Sequence, residues 1–186
     1  MHWLNERLIE RGHKICFMAE YYLPDINRIP ILSCAYKTRI LKQEDFGELY
    51  RPEWSNALCE DRKQLDILGI GAYDGNTLVG LAACSADCKD MWQIGVDVLS
   101  EYRRQGIASA LTSALAKEII NRKLLIEGEK LFAAHGLKKV TVDDLVAAVN
   151  ISKGSFYAFY PSKEHLYVEI NFRLQKELFT NIETTI

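Results

Sequence analysis

Two short stretches of the chain hold residue types whose chemistry depends on where they sit. In Arg103-Arg104-Gln105-Gly106-Ile107-Ala108, two cations precede a glycine and a small residue where an apolar run gives way to a helical pattern. Small side chains at 106 and 108 let a ligand phosphate reach the backbone, while the amides and positive dipole end of a helix start attract its charge. The two arginines add charge-assisted hydrogen bonds to an anion. In Asn150-Ile151-Ser152-Lys153-Gly154-Ser155-Phe156-Tyr157, a turn leads into a short helix that opens with a lysine, hydroxyls, a glycine and aromatic rings. Lys153, and Lys163 one element later, are placed for phosphate contacts. Tyr157 is placed for a phosphate or a thymine methyl, and Gly154 for close backbone approach.

The elements that must position the first stretch are strands. LDILGIGAYDGNTLVGLAACSA has two apolar runs around Asp74-Gly75-Asn76, residues that tolerate the positive φ of a tight turn, and predicts a hairpin with strands near 67–73 and 77–84. MWQIGVDVL supplies a further strand, with Trp92, Ile94, Val96 and Val98 alternating against Gln93, Gly95 and Asp97. Upstream, the spacing predicts a short amphipathic helix over 1–11, strands in ICFMAEYYLP and YKTRIL, and a broken helical stretch in EDFGELYRPEWSNAL ended by Pro52. The second stretch belongs to helices, expected at about 123–135, 142–149, 153–159 and 163–184. Gly136 reads as a C-cap, Thr141 with Asp144 as a capping box, Ser152 and Ser162 as N-caps, and Asn150 as a left-handed turn residue.

Composition narrows the class of protein. With 48% apolar and 26% charged residues in 186, the chain reads as soluble and globular, and its net charge of −2 rules out nucleic-acid binding through bulk charge. Any DNA contact must come from local placement. Five scattered cysteines, Cys16, Cys34, Cys59, Cys84 and Cys88, form an odd set that suits a reducing cytosol. No signal peptide or membrane span is evident, so a cytoplasmic protein is expected. Cys84 and Cys88 lack the second pair or histidine that a tetrahedral zinc site needs, and no metal is expected.

The order hairpin, strand, R-x-x-G-x-A, helix resembles the acetyl-CoA-binding core of the GNAT N-acetyltransferase superfamily over roughly the first 121 residues. That resemblance implies acetyl-CoA as cofactor. Val96, Asp97 and Val98 would lie along its pantetheine arm, and Arg103, Arg104, Gln105, Gly106, Ile107, Ala108 and Ser109 would bind its pyrophosphate. Asp97 becomes the candidate catalytic base. The GNAT pattern continues beyond this helix with a splayed fifth strand, a helix and two more strands, none of which follows here.

LFAAHGLKKVTVDDLVAAVNISKGSFYAFYPSKEHLY closely resembles the DNA-binding domain of TetR-family transcriptional regulators, through LF-x-x-x-G, T-V-x-D-L, S-K-G-S-F-Y and P-S-K-E-x-L. It implies a helix-turn-helix bound to double-stranded DNA. Its DNA face would comprise Thr141, Ser152, Lys153, Gly154, Ser155, Tyr157, Ala158 and Lys163, with Phe156 and Phe159 in the core. Leu166, Ile170, Leu174, Leu178 and Ile182 form an apolar stripe every four residues that needs cover from a second copy, another partner or the sheet half.

The expected fold class is therefore an α+β (or α/β) N-terminal part, 1–121, with a mainly antiparallel and incomplete GNAT-like sheet, joined to an all-α helix-turn-helix part, 122–186. Three functions suit it: a DNA-binding regulator module with an appended acetyl-CoA-binding region, an N-acetyltransferase with a DNA-targeting tail, or a join of two truncated genes that performs neither task. The boundary is expected at Asn121-Arg122-Lys123, kinked or straight. Leu111, Leu115 and Ile119 share one side of a continuous helix, while Leu124, Gly128 and Leu131 share roughly the opposite side.

Overall fold

The computed structural model describes residues 2–13, 25–87 and 92–183. A short helix α1 spans His2–Ile9, and the strand expected in ICFMAEYYLP lies outside the described residues. Strands β1 (Lys37–Lys42), β2 (Asp66–Asp74), β3 (Thr77–Ala86) and β4 (Trp92–Val98) make one sheet in the order β1-β2-β3-β4, antiparallel throughout. The turn of the β2–β3 hairpin holds Gly75 at φ +59°, a conformation open to glycine because it lacks a Cβ. In register, Ile70 faces Ala82 on β3, which faces Val96 on β4.

The sheet is covered on both faces, which is why β2 and β3 read as nearly continuous apolar runs. One face carries α2 (Ile107–His135), whose Ile107, Leu111, Leu115 and Ile119 pack on Leu68, Ile70, Val79, Ala82 and Cys84. Gly80 allows this approach, since a Cβ there would lie 2.6 Å from Ile107. Burial pushes the Cys84 thiol up to about 12, so it stays a neutral thiol. Trp92, Ile94, Val96 and Val98 of β4 face this side, as their alternation predicts. The opposite face carries Phe46, Trp54, Ala57 and Leu58 against Leu41, Leu81 and Ala83.

That second layer corrects one expectation. Residues 44–58 are the broken helical stretch expected, as separate 3-10 turns at Gln43–Asp45, Gly47–Leu49 and Pro52–Trp54, but Pro52 opens the last of them instead of ending the stretch. At a first helical position the missing N–H of proline costs nothing. The layer presses so closely on β4 that a Cβ at Gly95 would fall 1.8 Å from the Asn56 carbonyl oxygen. Buried Asp66 anchors it further, accepting bonds from the Ser85 hydroxyl, the Cys59 amide and the Tyr50 hydroxyl.

Helix α2 runs without interruption through Asn121-Arg122-Lys123 for 29 residues and ends at Gly136, φ +77°. The separate helix expected from 123 is therefore the second half of a longer one. Its phase divides two cores: Ile119 belongs to the sheet core, and Ile120 to a second core built with α3 (Val142–Val149), α4 (Lys153–Phe159) and α5 (Lys163–Glu183). There Leu124, Leu125 and Phe132 of α2 meet Leu145, Val146, Phe156, Tyr160, Leu166 and Ile170. Gly128 lets α5 come close, since a Cβ there would lie 3.1 Å from both Leu166 and Ile170.

The stripe on α5 is corrected in part. Leu166 and Ile170 close the second core and Leu174 packs against it, so this half of the stripe is covered from within the chain. Leu178 is exposed, as are Val168, Phe172 and Phe179 on other faces of the helix, while the side chain of Ile182 lies outside the described residues. No described helix is long and apolar enough to cross a membrane. Among the described residues no group of three or more histidine, cysteine or acidic side chains could hold a metal ion. Cys88 lies outside them.

Candidate functional site

The turn between α3 and α4 is built as its residues dictate. Thr141 caps α3 by accepting from the Asp144 amide at 3.2 Å, and Asp144 accepts in return from the Thr141 amide at 2.8 Å and hydroxyl at 2.7 Å. Those donors, the hydroxyl first, hold Asp144 below the usual carboxylate range. Asn150 takes the left-handed conformation, φ +58° and ψ +46°, that turns the chain. Ser152 then caps α4 by accepting from the Ser155 amide at 3.1 Å. Ser162 stands at the start of α5 and its carbonyl receives the Leu166 amide, but its hydroxyl pairs with the His165 ring.

Packing decides which side of α4 faces outward. Phe156 is fully buried, and Tyr160 is buried beside it with its hydroxyl donating to Asn121 Oδ1 at 2.7 Å. Burial pushes the Tyr160 hydroxyl up to about 12, so it serves as a donor at neutral pH. Lys153, Gly154, Tyr157 and Ala158 are exposed; Tyr157 is 53% accessible and braces edge-on against Phe156 at 5.5 Å between ring centres. Thr141 and Ser152 are exposed too, and Ser155 is half-buried.

Three details qualify or correct the sequence reading. Phe159 packs against the core as expected but is only half-buried, and it also lines the junction with the sheet half. Lys163 turns inward, its ammonium donating to the carbonyls of Leu137 at 2.8 Å and Val140 at 2.6 Å, where it fastens the turn between α2 and α3 to the start of α5. Lys153 is paired with Asp143 at 2.9 Å on the surface, an exposed ion pair of the kind that contributes little to stability. Sequence reasoning also missed Asn27, whose Oδ1 accepts from the Ser152 amide at 2.7 Å and the Ser155 hydroxyl at 3.0 Å. It comes from a loop more than a hundred residues away, and no local signal marks it.

The second constellation assembles where β4 gives way to α2. A cleft of about 420 Å³ is lined by Val96, Asp97, Val98, Arg103, Arg104, Gly106, Ile107, Ala108 and Ser109, joined by Asn56 and Tyr102. Gly106 precedes the helix at φ +76° and no side chain caps this start, so the amides of the first turn face the cleft without an internal cap. Arg104 is held at φ +63°, an uncommon conformation for a residue with a Cβ and one that concentrates at functional sites. Arg103 is braced by its Nε donating to the Val98 carbonyl at 3.0 Å.

Two residues of that set behave differently from expectation. Gln105 does not line the cleft; its side chain accepts from the Tyr36 hydroxyl at 2.7 Å. Asp97 lines it but is fully engaged, with one oxygen accepting from the Asn56 and Ala57 amides at 2.8 and 2.9 Å and the other from the Asn56 side chain at 2.7 Å. It fastens the 3-10 layer to β4. Tyr102, immediately before the arginine pair, was legible as a neighbour of the motif; Asn56 was not.

A capped helix, a left-handed turn and a second helix with an exposed polar face make a helix-turn-helix. Residues 124–170 match the family model described as bacterial regulatory proteins, tetR family, and form a helix-turn-helix domain of that type. An uncharacterized HTH-type transcriptional regulator, YhgD of Bacillus subtilis (strain 168), is 38% identical over 61 residues, 32% of this chain and 32% of that protein. Another from the same organism, YuxN, is 39% identical over 61 residues, 32% of this chain and 21% of that protein. The match thus spans about a third or less of the length of these relatives. No solved structure matches the chain.

Proposed function

We propose that the chain is a transcriptional-regulator module that grips double-stranded DNA through Thr141 and the outward side of α4, and whose sheet half carries a cleft for acetyl-CoA. The observation that carries the first part is the tetR-type domain itself, with Lys153, Gly154 and Tyr157 exposed on one helix. A lysine and a tyrosine so placed supply a phosphate contact and a groove contact. Changing both to alanine is expected to weaken duplex binding by at least about tenfold and to flatten its salt dependence by roughly one ion. Fluorescence anisotropy against duplex DNA at several salt concentrations reads both. A double variant that binds as tightly as the wild type would end this reading.

The acetyl-CoA part rests on the gathering of nine of the expected residues around one cleft at an uncapped helix start. Pyrophosphate suits the backbone amides of 106–109 and the two arginines, and the outer edge of β4 runs beside them for an extended arm. Binding rather than turnover is the reading that the donors on Asp97 support, because a carboxylate with both oxygens occupied is poorly placed to take a proton from an amine. Calorimetric titration with acetyl-CoA is expected to show binding that Gly106→Trp abolishes. Heat of binding absent in the wild-type protein would sink it.

A further inference from the structure

The loop 25–32 lies against the very helix that is to meet DNA. Asn27 accepts from the Ser152 amide and the Ser155 hydroxyl, tying up two residues of the DNA face. Ile26 and Ile29 pack on the helix-turn-helix core, and Asn27, Ile29 and Ile31 stand opposite Ser155, Ala158 and Phe159 across a cavity of about 180 Å³. At its far end the loop is held to the other half of α2, where the Ser113 hydroxyl donates to the Pro30 carbonyl. Around that anchor the loop borders a groove of about 470 Å³ against α2, and Ile31, just beyond Pro30, is 87% exposed. Ile26 and Ile29 are only partly buried at the edge of that core, so the loop can lift at the loss of those edge contacts and three hydrogen bonds while the buried residues beneath stay packed.

We propose that residues 25–32 are an autoinhibitory strap that keeps the helix-turn-helix in a state of low DNA affinity, with Asn27 as its latch. The proposal rests on the reading that α4 faces DNA. A duplex that engages the Ser152 amide or the half-buried Ser155 hydroxyl competes with Asn27, to which both already donate. Binding therefore includes the cost of opening the latch, which lowers the apparent affinity by the fraction of molecules that are open. The two bonds differ from ordinary loop contacts in that each ends on a residue of the proposed DNA face.

The test uses the full chain, a random-sequence 30-base-pair duplex pool at low salt, and three variants. Asn27→Ala removes the acceptor and is expected to bind about tenfold more tightly than the wild type. Asn27→Asp keeps an acceptor for both bonds and is expected to gain nothing. Asn27→Ala combined with Lys153→Ala and Tyr157→Ala is expected to lose the gain, showing that it acts through α4. A thermal melt of Asn27→Ala distinguishes release from unfolding, since an unfolded domain binds less and not more. Equal or weaker binding by a folded Asn27→Ala overturns the strap while leaving the DNA reading in place. If neither wild type nor Asn27→Ala binds any duplex, both readings fall together.

Discussion

Phe156→Ala is expected to cost about 4 kcal/mol, the usual toll for emptying a fully buried phenylalanine site. Phe156 has no accessible surface and sits among Leu124, Leu145, Ile151, Tyr160 and Leu166, which come from α2, α3, α5 and the chain around α4. Those elements share one small core, so the cavity has few ways to collapse. Urea unfolding followed by circular dichroism should show the lower midpoint, and DNA binding should vanish as α4 loses its seat. A loss below about 1 kcal/mol would mean that α4 is not held by this core.

Arg122→Pro is expected to cost about 3 kcal/mol or more and to uncouple the two halves. A proline at 122 removes the amide bond to the carbonyl of residue 118 and crowds that carbonyl, and it also removes the 3.0 Å pair between Arg122 and Glu118. The break falls between Ile119 and Leu124, which serve different cores, and beside Asn121, which receives the Tyr160 hydroxyl. Trp54 and Trp92 report on the sheet half by fluorescence, while helix content reports mainly on the other. In the wild type the two signals should change together; in the variant they should separate. Coincident transitions in a variant of undiminished stability would show that α2 is not the coupling rod.

Much of the local structure was legible because it depends on neighbours in sequence. The Asp74-Gly75-Asn76 turn, the alternation in β4, the Thr141–Asp144 box and the left-handed Asn150 are each decided within a few residues. The opposed apolar phases of 111–119 and 124–131 also announced two cores. Missing from that reading was the fate of Asn121-Arg122-Lys123. Nothing local breaks the helix there, and the seam expected between domains is a continuous turn whose residues bond to both halves.

For the two sites, the sequence alone determined most of the residues that gather, though not Asn56 or Asn27 and not the departure of Gln105 and Lys163. The amides and small residues of 106–109 and the turn at 150–152 are set by backbone preferences, and these act over a single turn of chain. Tertiary structure alone decided how those residues are occupied. Lys163 is spent on the carbonyls at 137 and 140, Asp97 on Asn56 and Ala57, Gln105 on Tyr36, and Ser155 on Asn27. Each partner is distant in sequence, and a hydrogen bond depends on an approach of about 3 Å that only the packing of both cores against α2 can set.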